Sequence, residues 1–160
     1  MRLPPVLLAT AVVLSTLIGT SLITQGQPPP RAADAELDYL DQKIRTFLER
    51  VSFDDVSSAY QGLLLNGPLA KQADGLSTLE QKTRALRSQY GDFRSFEQVS
   101  ARRVGKDVVA FKYLYHCETF PVVWHLTFYR IYKRSETPRE NENWHVVSVR
   151  FDTNVESLTP

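Results

Sequence analysis

The chain has 160 residues, of which 42% are hydrophobic and 23% are charged, proportions that indicate one globular domain and exclude collagen-like and disordered chains. The formal net charge of +1, from 19 basic and 18 acidic residues, argues against nucleic acid as a partner, since nucleic-acid binders carry a strongly basic surface. The single cysteine, Cys117, excludes an intrachain disulfide, and one cysteine with three histidines does not make a zinc finger.

An export signal is predicted at the start of the chain. Arg2 supplies a positive charge, and residues 6–23 follow without any charge. Small residues at 33–35 then have the spacing that a signal peptidase recognises, with cleavage before Glu36. The apolar run also approaches the length of a membrane-spanning helix, so an uncleaved anchor is the alternative. In both cases the domain is expected to be exported, to the periplasm or the extracellular space, and to meet a membrane only through residues 6–23.

Three consecutive prolines at 28–30 separate this leader from the rest of the chain. Proline lacks a backbone N–H and favours extended structure, so this segment is either a spacer or the discarded tail of the signal peptide. The chain therefore divides into residues 1–35, a signal peptide or anchor with a Pro-rich spacer, and residues 36–160, a single domain.

Three helices are predicted in the first half of the domain. Apolar residues recur at helical spacing from Leu37 and indicate the first helix. Ser52 stands three residues before Asp55, as in a capping box, so we expect a second helix to begin there and to end at residues 66–68, which are Asn-Gly-Pro. A third helix is predicted from Ser77 to Tyr90. The expected buried face of the second helix holds Phe53, Val56, Tyr60, Leu63 and Leu64.

After Gly91 the hydrophobic period changes from 3.6 to 2, which indicates strands. We place four of them at Phe93–Val104, Asp107–Cys117, Val122–Lys133 and Trp144–Thr153. Short turns at 105–106 and 118–121 and a polar loop at 134–143 make the sheet antiparallel. The predicted fold class is therefore α+β, with three N-terminal helices packed on a curved four-stranded antiparallel sheet.

In this order of elements the chain resembles the NTF2-like, or cystatin-like roll, superfamily, and in particular its uncharacterised secreted branch. The resemblance covers residues 36–152 and rests on the helix stop Leu65-Asn66-Gly67, the entry Tyr90-Gly91-Asp92-Phe93 into the sheet, and the closing Trp144-His145-Val146-Val147. It implies long antiparallel strands that close a cone. The superfamily includes isomerases, dehydratases and polyketide cyclases as well as proteins that only bind or dimerise, and fold analogy alone does not choose among them.

Enzymes of this superfamily place a carboxylate or a His–Asp pair inside the cone, where an apolar wall raises the pKa of the carboxyl group. The acids on the predicted strands are Glu97, Asp107, Glu118 and Asp152, and none of them stands in the middle of an apolar strand. We therefore expect an exported binding or interaction module without a cofactor, for which no reaction can be assigned. The alternative is an NTF2-like enzyme of the isomerase, dehydratase or cyclase type, with an acid–base pair in a cone-shaped pocket.

The histidines and the cysteine were the candidates for metal or thiol chemistry. His116, His125 and His145 fall on three successive predicted strands, but the hairpin registers spread them along the sheet, so no shared metal ion is expected. Cys117 and His116 are neighbours on one strand and point to opposite faces. Cys117 is therefore interpreted as a small buried hydrophobe and not as an activated thiol.

An aromatic stripe on the predicted strands is the expected wall of a ligand pocket, for a small apolar molecule or a protein partner. The third strand is apolar on both of its faces, so we expect both faces to be covered. The resemblance implies a homodimer interface on the outer face of the sheet, and plain core packing is the alternative. The residues expected to line the pocket are Tyr60, Phe111, Tyr113, Tyr115, His125 and Tyr129.

Overall fold

The computed structural model describes residues 32–132 and 143–158, with side chains from residue 34 onward. The predicted export signal and most of the predicted loop at 134–143 lie outside these residues. Within the described ranges, no helix combines the length and the apolar character that crossing a membrane requires. The elements are α1 (Ala32–Ser52), α2 (Val56–Leu64), α3 (Ala73–Tyr90), β1 (Phe93–Val104), β2 (Val108–Cys117), β3 (Val122–Arg130) and β4 (Trp144–Asp152), with 3₁₀ helices at Pro68–Lys71 and Val155–Leu158.

The four strands form one antiparallel sheet in the order β1-β2-β3-β4, so β1 and β4 are its edges. The sheet is curved and does not close on itself. Gly105, at φ +66°, makes the tight turn from β1 to β2, and Tyr115 pairs with Val122 across the next turn. Register shifts in β1 at 98–100 and in β4 at 146–148 mark bulges, which bend a strand and increase its twist. The predicted α+β class, with helices preceding an antiparallel sheet, is confirmed.

The inner face of the sheet packs against α1 and α2. Phe47 of α1 lies at the centre of this contact, with its ring 5.0 Å from that of Tyr60 in α2 and 5.3 Å from that of Trp124 in β3, both at steep edge-on angles. Edge-to-face packing of this kind is a favoured aromatic arrangement. The α1 side chains that complete the core are Leu40, Ile44, Leu48 and Val51.

The second helix begins later than the capping-box pattern predicted. α1 continues through Ser52, whose hydroxyl donates a hydrogen bond to the carbonyl of Glu49 in the same helix. Asp54 then takes a left-handed conformation, with φ +64°, and the chain turns before α2 starts at Val56. Phe53 lies in this turn and is 84% exposed, so its predicted place in the core is wrong. The other four predicted positions are buried: Val56, Tyr60, Leu63 and Leu64.

The remaining element boundaries lie close to the predicted ones. α3 starts at Ala73 and not at Ser77, and it ends at Tyr90 as expected. β1 has the predicted bounds, and β2 and β4 differ from theirs by one residue. β3 ends at Arg130, whereas the predicted end, Lys133, lies outside the described residues.

Candidate functional site

The centre of the inner face of the sheet is filled by the protein's own side chains. Tyr60, Phe111, Tyr113 and Tyr115, four of the six residues predicted to line a pocket, are each at most 3% exposed. Burial raises the pKa of all three tyrosine hydroxyls above the usual value. Trp124 is likewise fully buried among them. These aromatic rings form the core between the sheet and the helices.

The other two predicted residues, His125 and Tyr129, lie on the outer face. They belong to β3 and alternate with its inward positions, as residues of a strand must. His125 is 9% exposed and Tyr129 is 43% exposed. The structure thus brings four of the six predicted residues together and places the other two on the opposite side of the sheet.

One carboxylate does meet the inner face, and it comes from a helix. Asp41 of α1 accepts a hydrogen bond from the hydroxyl of Tyr113 and pairs with Arg45 Nε at 2.6 Å. The Gln98 side-chain oxygen lies 3.4 Å from the same hydroxyl. A recess of about 240 Å³, lined in part by Asp41, Gln98 and Phe111, opens beside this group. Asp41 is not among the predicted acids, because those lie on strands and Asp41 lies on a helix.

A second polar group fastens the start of α1 to the sheet. The carboxylate of Glu36 accepts hydrogen bonds from Arg103, at 2.8 Å, and from Arg130. Both guanidinium groups lie against the ring of Trp144, with their central carbons 5.7 and 4.5 Å from its centre. Cation–π contacts of this kind strengthen when the charges are partly desolvated. This arrangement, called the Glu36 cluster below, links α1 to β1, β3 and β4.

A cavity of about 400 Å³ opens at the junction of α1, α3 and the sheet, lined in part by Tyr115, Cys117 and Thr83. Burial raises the pKa of the Cys117 thiol, so the thiol is protonated at neutral pH. His116 points to the other face, where its Nε2 lies 3.1 Å from a carboxylate oxygen of Glu97. The prediction that His116 and Cys117 face opposite ways is confirmed, and no neighbouring imidazole activates the thiol.

The outer face carries a basic row across three strands. Lys112, His125 and Arg150 lie opposite one another in β2, β3 and β4. Lys112 donates a hydrogen bond to the carbonyl of Ser157 in the C-terminal 3₁₀ helix, which therefore lies over this part of the face. Asp152 Oδ2 is 3.4 Å from His125 Nε2, but the alignment does not make a hydrogen bond. Burial and the two neighbouring cations lower the pKa of His125, and they outweigh the opposing effect of Asp152.

The described part of the chain contains no group of three His, Cys, Asp or Glu side chains that could hold a metal ion. The strand register explains the spacing of the histidines. His116 pairs with Ser95, His125 with Lys112, and His145 with Tyr129, so the three stand at different levels of the sheet.

An apolar groove lies between α3 and the edge strand β4, and it is called the α3–β4 groove below. Its volume is about 350 Å³. Leu76 and Leu79 stand three residues apart on one face of α3, and both are only partly buried, whereas Leu86 further along that helix enters the core. The lining consists of Leu64, Leu69, Leu76 and Leu79, of Val147, Ser148 and Val149 on the strand side, and of Gln72, Gly75, Thr78 and Lys82.

Comparison of the chain with protein-family models, with curated proteins and with solved structures finds no match.

Proposed function

We propose that this protein is an exported binding module of the NTF2-like roll type, and that its ligand site is the α3–β4 groove. The observation that carries the proposal is the filling of the inner face. An NTF2-like enzyme needs open space between the helices and the sheet for its substrate. Here the rings of Phe47, Tyr60 and Trp124 occupy the centre of that space, and Phe47 contacts the other two.

The α3–β4 groove has the character of a ligand site. Its volume of about 350 Å³ lies in the range of small-molecule pockets, roughly 300 to 1,000 Å³. Such pockets are mainly apolar with a few polar groups that fix orientation. The groove has leucine and valine walls, with Lys82 as its charged residue and Gln72, Thr78 and Ser148 as further polar residues. Leu76 and Leu79 are partly exposed there, so a ligand that covers them gains apolar burial.

The test uses anilinonaphthalene sulfonate, an apolar anion whose fluorescence rises in apolar surroundings. We expect the native protein to bind it and Leu76→Asp to abolish the signal. Leu65→Asp is the matched control, because Leu65 is exposed and outside the groove lining. Equal binding by Leu76→Asp and the native protein, with both variants folded by near-UV circular dichroism, would contradict the proposal.

The enzyme alternative has one observation in its favour, the contact of Asp41 with Tyr113 beside the recess of about 240 Å³. A carboxylate that accepts a hydrogen bond from a tyrosine hydroxyl places a base beside an acid. The alternative predicts turnover of enolisable ketones or of β-hydroxyacyl thioesters that is lost in Asp41→Asn and retained in Glu49→Gln, because Glu49 is an exposed acid of α1 outside the recess. Absence of turnover across both substrate classes favours the binding module.

We also propose a second copy of this chain as a partner on the outer face. Val104, Val108 and Tyr129 lie opposite one another across β1, β2 and β3, and Val104 and Tyr129 are exposed. This apolar row lies away from the part that the C-terminal 3₁₀ helix contacts. Light scattering after size exclusion is expected to give the mass of a dimer for the native protein and of a monomer for Tyr129→Glu. If the native protein is monomeric at high concentration, the proposal of a homodimer is wrong.

A further inference from the structure

The α3–β4 groove runs along an open edge of the sheet. β4 pairs with β3 on one side, and among the described residues no strand pairs with its other side. Alternate N–H and C=O groups of an edge strand point away from the sheet and are available for hydrogen bonding. Val147, Ser148 and Val149 belong to this edge and also line the groove. One wall of the groove therefore offers backbone donors and acceptors, and the bulge at Val147 lies within it.

The opposite wall is apolar. Leu69, Leu76 and Leu79 come from the linking 3₁₀ helix and from α3, and each is partly exposed. A small apolar molecule would cover these leucines and leave the strand edge unpaired. An extended peptide would cover the leucines and also pair with the strand edge. In strand addition the main chain of the peptide forms hydrogen bonds along the edge, and its alternate side chains enter pockets. The combination of an open edge with a leucine wall favours a peptide.

The geometry also limits the occupant to one strand. A strand added to β4 lies about 4.8 Å from it in the plane of the sheet. α3 forms the other wall of the groove, so a second strand beyond the first would meet the helix. The occupant that we consider is therefore a single extended segment and not the edge of another folded sheet.

Charge indicates the chemistry of the segment. Lys82 is the charged residue of the groove lining, and it forms no ion pair with any residue in the ranges 34–132 and 143–158. An acidic side chain or a free carboxylate at one end of the segment would complement it. Such a contact, at an exposed ammonium group, directs orientation more than it adds affinity.

We propose that the α3–β4 groove binds an extended apolar peptide segment with an acidic group, as a fifth strand beside β4. This inference rests on the proposed function and names the class of ligand. The bound segment places alternate side chains among the leucines and sets its acidic group at Lys82. Its other side chains point away from the groove.

The experiment begins with a phage-displayed library of random dodecapeptides selected on the full chain. A selected peptide is then synthesised in two forms, each N-methylated at one of the two alternating sets of positions. Strand addition needs the N–H groups of only one set, so one form is expected to lose affinity by about tenfold or more and the other to retain it. Leu79→Arg is expected to abolish binding, and Lys82→Glu, at an exposed position, to weaken it. Leu65→Arg is the control that leaves binding unchanged.

The outcomes separate this inference from the proposed function. Strand addition is supported if one N-methylated peptide loses affinity and the other retains it, and if Leu79→Arg abolishes and Lys82→Glu weakens binding. Failure to select any peptide, or equal loss in both forms, overturns it, while binding of anilinonaphthalene sulfonate that depends on Leu76 leaves the groove as a small-molecule site. If every groove variant still binds both anilinonaphthalene sulfonate and the selected peptide, both proposals are overturned.

Discussion

Trp124 is fully buried at the centre of the inner face. Its ring lies 5.3 Å from that of Phe47 in α1 and 4.6 Å from that of Phe151 in β4, so it joins the helices to the sheet edge. We expect Trp124→Ala to lower the free energy of unfolding by about 3 to 5 kcal/mol, the cost of removing a large aromatic ring from a core. Urea denaturation followed by far-UV circular dichroism measures this change.

Tyr129→Ala is the control for Trp124→Ala, because both residues belong to β3 and only Trp124 faces the core. The two variants are compared at a concentration at which the protein is monomeric, since association stabilises the folded state, and the cost of Tyr129→Ala is then expected to be below about 1 kcal/mol, as at other surface positions. A similar loss in the two variants would mean that the outer face is as well packed as the inner one, which the 43% exposure of Tyr129 opposes.

His125 makes the stability of the protein depend on pH. Its pKa is lowered below the usual 6.5 by burial and by Arg150 and Lys112, so the folded protein binds fewer protons at this site than the unfolded chain does. The free energy of unfolding therefore rises with pH through this range, and the contribution of His125 is lost as pH falls below about 6.5. We expect the urea concentration at the unfolding midpoint to decrease as the pH is lowered from about 7.5 to about 5.5.

His125→Gln is expected to flatten this pH dependence, and His116→Gln to leave it in place, because His116 is half-exposed beside Glu97. Identical profiles for His125→Gln and the native protein would show that protonation of His125 is not coupled to folding.

The junction of α3 with β1 depends on Gly91, which has φ +83° and ψ −171°, a conformation that only glycine adopts readily. A Cβ at this position would stand 2.7 Å from the Cβ of Glu118, whereas at Gly105, also at positive φ, it would meet nothing within 4 Å. Gly105→Ala is expected to cost about 1 to 2 kcal/mol from backbone strain alone. Gly91→Ala adds a steric clash and should lower the melting temperature further. Equal losses would show that Glu118 moves aside without cost.

Local signals were sufficient to predict the strands. The change of hydrophobic period after Gly91 predicts where β1 begins, and the turn at Gly105 predicts where it ends. The structure has the same bounds. The junction of α1 with α2 could not be predicted in this way. Ser52 and Asp55 have the spacing of a capping box, but the left-handed turn at Asp54 decides where the second helix begins. That turn leaves Phe53 in solvent although its residue type favours burial.

The α3–β4 groove and the position of Asp41 could not be predicted from the sequence. The leucines of the α3–β4 groove lie between residues 64 and 79, and its strand wall lies at 147–149. No local pattern indicates that these two segments face one another across a gap, because partly exposed leucines on a helix have the same spacing as buried ones. Asp41 lies on the same helix as the exposed acids Asp38 and Glu49, and only the tertiary structure brings it to Tyr113.

At the scale of the whole molecule, the predicted cleavage site lies within the first turn of α1. Cleavage before Glu36 would remove the residues 32–35, which form the first turn of α1. The buried side chains of α1 run from Leu40 to Val51, so all of them remain. Glu36 would become the first residue and keep the carboxylate that Arg103 and Arg130 share. The buried side chains of α1 therefore all lie beyond the predicted cleavage site.

We expect mass spectrometry of the native protein to find a chain that starts near Glu36. A full-length chain in the membrane fraction would support the anchor instead, and a full-length chain in the cytoplasm would contradict export altogether.

The same geometry predicts how the cleaved chain behaves. Residues 36–160 and 34–160 are expected to have melting temperatures within a few degrees of each other, since the residues that differ bury no core side chain. Glu36→Gln in either chain leaves the two partly buried guanidinium groups without a carboxylate, and hydrogen bonds to charged groups contribute about 1.5 to 3 kcal/mol. Asp38→Asn, at an exposed position of the same helix, is the control and should have little effect. If residues 36–160 fail to fold while 34–160 fold, the first turn of α1 is required and cleavage before Glu36 does not yield the functional protein.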